Sequence, residues 1–209
     1  MAVSSTMLAL GTSAAEFSLP DVATGCTVSL KDFEPKTALL VMFLCAHCPY
    51  VVHVRPELAK LSLDYSRKSV GIVAITANDP AQYPDDAPGP TAAMVRAAGF
   101  TFPFLFDETQ SVAKAYTAAC TPDFFLFDAA RRLVYRGQLD GSRPGRGPGR
   151  PGAGVLDGAD LRAALDAVLS GKSVSAKQKP SIGCNIKWTP GNEPDYFQIP
   201  SSYASSFGG

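Results

Sequence analysis

The residues whose type and spacing best suit chemistry are Cys45 and Cys48, in the run Cys45-Ala46-His47-Cys48. A buried strand leads directly into them and a helix opens there. A cysteine at a helix N-terminus has its thiolate stabilised by unsatisfied backbone N–H groups and the positive end of the helix dipole, which lowers its pKa toward neutrality. One helical turn on, the second sulfur can close a small disulfide with the first. A dithiol so placed attacks a disulfide, passes through a mixed disulfide and is resolved internally. His47, as a cation or hydrogen-bond donor beside the sulfurs, favours thiolate and moves the pair toward the oxidising end of the scale.

Five cysteines occur in all, at 26, 45, 48, 120 and 184. An odd, sparse set in a chain read as intracellular points to redox chemistry or metal binding before disulfide stapling. Zinc would need two more ligands of matching kind, with Cys120 and Cys184 brought in singly, and a copper site would need a histidine far downstream. The only histidines are His47 and His53, so no metal is expected. A second element is Cys120-Thr121-Pro122-Asp123-Phe124, where a proline before a hydrophobic strand can take the cis form and mark a constrained turn. Cys120 and Cys184 are possible auxiliary redox residues, against a plainer reading of Cys120 as a small apolar side chain. Cys26 reads as an exposed bystander, His53 as a surface or packing residue, and Glu57 as part of a solvated helix face.

The elements that must position these residues follow from hydrophobic period. Glu16 to Leu30 reads as a β-hairpin, and Thr37 to Leu44 as a strand buried on both faces. Val54, Leu58, Leu61 and Tyr65 recur at helical spacing after Pro49, with Pro56 inside the helix. Val70 to Thr76 is a second buried strand, giving the strand–helix–strand order of a parallel pair. A polar, proline-rich loop from Asn78 to Pro90 leads to a short helix capped by Thr91 and stopped by Gly99. Strands follow at Phe102–Phe106, Asp123–Asp128 and Leu133–Gly137, with short helices at Gln110–Tyr116 and about Asp157–Ser170. Gly141 to Gly154, carrying Arg143, Arg146 and Arg150, reads as a mobile, solvated loop. From Gly171 onward no period is clear, yet Trp188, Ile186, Tyr196 and Phe197 imply a tail packed across the domain, with a loose end.

Composition narrows the classes. The chain has 209 residues, 46% of them hydrophobic and 18% charged, enough for one well-buried core. Lys plus Arg and Asp plus Glu both number 19, so no overall field draws in nucleic acid or an anionic membrane. No apolar run approaches the roughly 18 residues of a membrane span, and no signal or transit peptide is evident. The expected location is cytoplasmic, with no nucleic-acid or membrane partner.

The runs Phe43-Leu-Cys-Ala-His-Cys-Pro-Tyr50, Cys120-Thr-Pro-Asp-Phe-Phe-Leu-Phe-Asp128, Val134-Tyr-Arg-Gly137 and Pro180-Ser-Ile-Gly-Cys-Asn-Ile-Lys-Trp188 together resemble the peroxiredoxin-like (AhpC/TSA-related) family of thioredoxin-domain proteins. The resemblance extends from about Gly11 to Phe197. It implies an α/β, thioredoxin-like fold: a central mixed sheet flanked by helices, with an N-terminal β-hairpin. Residues 1–170 would form the domain, and 171–209 an extension packed on it. By resemblance to thioredoxins, Cys45 is the exposed attacking thiol and Cys48 the buried resolving one. Pro122 would face the disulfide, and the backbone at Thr121 would pair with an extended substrate, placing His47, Thr121 and Pro122 at the substrate site.

Peroxiredoxins carry T-x-x-C followed by proline, and Cys48-Pro49 sits in that register, with Cys45 where the Thr would be. Pro122 occupies the slot of their activating Arg. The reading is therefore a thiol–disulfide oxidoreductase without bound cofactor, acting on protein or small-molecule disulfides and recharged by a thioredoxin or glutathione system. The alternatives are a thiol-dependent hydroperoxide reductase, with Cys48 oxidised and Cys45 resolving, and a non-enzymatic metal-binding or redox-sensing module. The oligomeric state is not specified.

Overall fold

The computed structural model describes residues 2–145 and 152–197. In chain order the elements are β1 (Ala2–Ser4), β2 (Ser18–Pro20), β3 (Thr27–Ser29), β4 (Ala38–Phe43), α1 (Pro49–Tyr65), β5 (Val70–Thr76), α2 (Pro88–Ala98), β6 (Phe104–Phe106), α3 (Ser111–Ala115), β7 (Cys120–Thr121), β8 (Asp123–Phe127), β9 (Leu133–Gly137), α4 (Ala159–Leu169) and β10 (Ile182–Asn185). Five strands form the central sheet in the order β6-β5-β4-β8-β9. β4, β5 and β6 run parallel, while β8 and β9 are antiparallel to their neighbours, so the sheet is mixed.

β4 lies at the middle because all six of its residues are apolar and buried. Strand alternation sends Leu40 and Met42 to one face, against Val51, Leu58 and Leu61 of α1 and Leu161 and Leu165 of α4. Leu39, Val41 and Phe43 go to the other face, against Phe17, Phe33, Tyr116 and Trp188. Each such side chain contributes about 1.5–3 kcal/mol on burial, which exceeds the roughly 1–2 kcal/mol of backbone ordering per residue. The strand thereby becomes a rigid support for whatever its C-terminal end presents.

Three features depart from the sequence reading. First, α2 begins at Pro88 with Ala87 as its N-cap, and Thr91 lies inside it, its hydroxyl donating to the Asp86 carbonyl at 3.2 Å. Proline is well suited to the first helical position, which moves the start upstream of the expected threonine cap; Gly99 ends the helix in the left-handed region as expected.

Second, the ends of the Gly/Pro/Arg segment are tied down. The Asp140 carboxylate accepts the N–H groups of Ser142, Asp157 and Gly158, and Arg143 forms an antiparallel bridge with Ala153. Arg146 and Arg150 lie outside the described residues, as does the chain end from 198 that the sequence reading leaves loose.

Third, the tail contributes a strand. β10 pairs antiparallel with both β1 and β7, forming a second sheet in the order β1-β10-β7. Neither β1 nor β10 shows the alternating pattern of a half-buried strand over enough residues to be found from sequence.

Candidate active site

Leu44 and Cys45 continue from the end of β4, and Cys48 is the N-cap of the 17-residue α1, with Pro49 at the first helical position. The helix N-terminus therefore belongs to Cys48 rather than to Cys45. Neither sulfur is exposed: Cys45 is 1% and Cys48 0% accessible. The exposed attacking Cys45 implied by the thioredoxin resemblance is thus corrected.

Electrostatics separate the two thiols. Hydrogen bonding from the Cys184 and Cys45 thiols, together with the Val51 backbone N–H, pulls Cys48 well below the ordinary thiol range against the effect of burial. Cys45 moves the other way, raised by its hydrogen bond to Cys48, by burial and by the negative charge of Asp86. The negative charge of the pair therefore resides on Cys48, at the positive end of α1.

Thr121 spans both sulfurs. Its hydroxyl lies 3.2 Å from Cys45 Sγ, and its carbonyl oxygen lies 3.2 Å from Cys48 Sγ, able to accept the proton of the Cys48 thiol form. The Thr121–Pro122 peptide bond is cis. The backbone of Thr121 does not stand open for an extended substrate: β10 of the same chain occupies this edge, with Cys184 directly across from Thr121. Cys120, across from Asn185, is fully buried, and burial and the nearby Asp123 raise its pKa well above that of a free thiol.

His47 is held by a residue that sequence reasoning missed. Its Nδ1 stands 2.6 Å from Asp86 Oδ2, and its ring stacks on Tyr83 with centroids 5.5 Å apart. Asp86 is fully buried and also accepts the Ala46 N–H at 2.8 Å and the Asn78 side-chain amide at 2.6 Å. Asn78 in turn accepts the backbone N–H of Lys187 at 2.9 Å, linking the tail to the Cys45–Cys48 loop. From the other side Arg55 donates to the Ala46 carbonyl at 2.8 Å. The signal for Asp86 was its place in the polar loop just beyond β5, since parallel strands gather functional loops at their C-terminal ends.

Donor atoms of Cys45, His47 and Asp86 all lie within 4.8 Å of one another, a grouping able to receive a metal ion. Here the same atoms have a structural use: Asp86 accepts the backbone N–H groups of Ala46 and His47 and the Asn78 amide, and faces the His47 ring, fixing the loop. Glu57 is not on a solvated face; it is buried and bonds the Arg162 guanidinium at 2.6 and 2.8 Å, joining α1 to α4. His53 lies 2.9 Å from the Ser142 hydroxyl, and Cys26 is exposed.

Comparison with known proteins completes the description. The Redoxin family model matches residues 9–147. An uncharacterized conserved protein from Geobacillus kaustophilus is 51% identical, covering 91% of this chain and 97% of its own, with a TM-score of 0.85. A hypothetical protein from Sinorhizobium meliloti 1021 is 52% identical, covering 90% and 99%, also with a TM-score of 0.85. A candidate thiol:disulfide interchange protein DsbE from Chlorobium tepidum is 19% identical over 78% of this chain and 99% of its own. Its TM-score of 0.60 shows that the fold is thioredoxin-like. No protein of curated function matches. No helix among the described residues is long and apolar enough to cross a membrane. With the Redoxin model spanning more than half of the chain, and with relatives half identical over nearly its whole length, this protein belongs to the Redoxin family.

Proposed function

We propose that the protein is a thiol–disulfide oxidoreductase whose redox centre is Cys45 and Cys48, with Cys48 as the nucleophile. The observation that carries this reading is the placement of Cys48 at the N-cap of α1, with Cys45 beside it and both sulfurs 3.2 Å from Thr121. Cys48 thiolate attacks one sulfur of a substrate disulfide, forming a mixed disulfide and releasing the other sulfur as thiolate. Cys45 then loses its proton and attacks Cys48 Sγ, closing the Cys45–Cys48 disulfide and expelling the second substrate thiolate. An external dithiol, or two monothiols, regenerates the reduced pair. His47, Thr121 and Pro122 border the site, the first two positioned by Asp86 and by the sulfurs themselves. Partners are protein or small-molecule disulfides and a thioredoxin or glutathione system, which places the protein in a thiol-reducing compartment such as the cytoplasm.

The direct test follows reduction of insulin or oxidised glutathione by the reduced protein. Cys48→Ser abolishes turnover and Cys45→Ser lowers it, whereas undiminished turnover in the Cys48 variant overturns the reading.

A second reading is favoured by the same thiolate: Cys48 attacks a hydroperoxide, giving a sulfenic acid and an alcohol, and Cys45 condenses with it to the disulfide and water. Stopped-flow oxidation by hydrogen peroxide separates the two. A rate no greater than that of free cysteine excludes the peroxidase.

A further inference from the structure

The β10–β7 register places Cys184 directly opposite Thr121. Residues directly opposite in an antiparallel pair project to the same face. Thr121 puts its hydroxyl 3.2 Å from Cys45 Sγ and its carbonyl oxygen 3.2 Å from Cys48 Sγ. The side chain of Cys184 therefore enters the same space, packed against the apolar cluster that contains Cys45 and Cys48. Cys120 pairs with Asn185 one register position away, so alternation turns it to the opposite face.

Cys184 is held in place from both sides. Gly183 lies against Thr121, Ser181 exchanges hydrogen bonds with Ser5, and the Ser181 hydroxyl donates to the Gly137 carbonyl at 2.6 Å. Ile186 N–H donates to Ala119 O at 3.1 Å, and Lys187 N–H to Asn78. The three sulfurs differ in access: Cys45 and Cys48 are buried, and Cys184 is half-buried. The neighbouring Cys48 and burial raise the Cys184 thiol above its ordinary range, and the Lys187 ammonium, anchored on Asn185 at 2.9 and 3.1 Å, offsets this only in part.

We propose that Cys184 is a third redox sulfur of this site, exchanging with the buried Cys45–Cys48 disulfide and carrying oxidising equivalents between it and external thiols. The proposal rests on the dithiol reading above. Cys184 gives up its proton and attacks Cys48 Sγ; the Cys48–Cys184 bond forms, the Cys45–Cys48 bond breaks, and Cys45 leaves as thiolate. An external thiolate then attacks Cys184 Sγ, releasing Cys48 thiolate and leaving a mixed disulfide on Cys184. A second external thiolate resolves that bond, so two thiols become one disulfide and the protein is fully reduced. Cys48 is the shared sulfur, and the exposed end of the relay is Cys184.

The test oxidises the reduced protein with one equivalent of diamide, quenches in acid, alkylates and maps disulfides by mass spectrometry. Wild type yields Cys48–Cys184 alongside Cys45–Cys48, and Cys45→Ser yields Cys48–Cys184 as its intramolecular disulfide. Cys184→Ser and Cys184→Ala retain Cys45–Cys48, but glutathione reduces it on the order of tenfold more slowly, because access to a buried disulfide limits exchange. Fluorescence of Trp188 in each variant shows that the tail remains docked. If wild type gives only Cys45–Cys48, and Cys184 stays free in Cys45→Ser, the relay is overturned and the dithiol reading stands. If Cys45–Cys48 forms in neither wild type nor the Cys184 variants, both are overturned.

Discussion

Gly183 passes so close to Thr121 that a Cβ on it would stand 2.0 Å from the Thr121 carbonyl oxygen and 2.5 Å from the carbonyl carbon. Both obstacles are backbone, so neither can swing aside. Gly183→Ala is expected to push β10 off β7, with a loss of about 1–3 kcal/mol, the range for forced overpacking. Urea unfolding followed by the fluorescence of Trp188, the single tryptophan of the chain, reads this directly. A wild-type midpoint in that variant would mean that the tail is not seated against Thr121.

The charge assigned to Cys48 has a pH signature. Its folded-state pKa is lowered, so the thiolate persists into acid, and the stability it confers is complete above the unfolded thiol value of about 8.5. That stability declines as pH falls toward the folded value. Absorbance at 240 nm of the reduced protein is expected to show one thiolate equivalent at pH 6 that Cys48→Ser removes. Loss of the whole signal near pH 8, as for free cysteine, refutes the assignment.

Asp86 holds the loop between the sulfurs through Ala46 and His47, and reaches the tail through Asn78. Asp86→Ala removes the acceptor of the part-buried Ala46 and His47 N–H groups and of the buried Asn78 amide, the last costing about 1–3 kcal/mol when left unsatisfied. It also removes the negative charge that raises Cys45. The expected outcome is a lower unfolding midpoint together with an increased rate of Cys45 alkylation. Asp86→Asn, which keeps an acceptor but not the charge, is expected to recover part of the midpoint and to retain the faster alkylation.

Much of this arrangement is written locally in the chain. The apolar run into Cys45, the helical spacing after Pro49 and the apolar strand after Pro122 each carry their own period, and the structure has strands and a helix at these places. What stayed hidden depends on contacts distant in sequence. Asp86 looks like one of several acids in a polar loop until the parallel pairing of β4 and β5 brings its loop beside Ala46. The short Ile182–Asn185 strand becomes legible only through its partners on β1 and β7. Glu57 was misplaced because nothing on α1 itself announces Arg162 across the interface.

Asp123 opens β8 and pairs in register with Phe43, fully buried, with no hydrogen-bond partner for either carboxyl oxygen. Burial raises its pKa well above that of a free carboxyl group, and the nearby N–H groups of Ala119 and Phe124 offset this only in part. The folded protein thus keeps a proton that the unfolded chain releases above about pH 3.9. Stability linked to this group is full below that pH and is lost as pH rises toward the folded value, by about 1.4 kcal/mol per unit. Asp123→Asn preserves the neutral shape without the proton. It is expected to match wild type near pH 4 and to exceed it progressively from pH 5 to 8 in urea denaturation. An advantage that stays constant across this range would show that Asp123 is ionised in the folded protein.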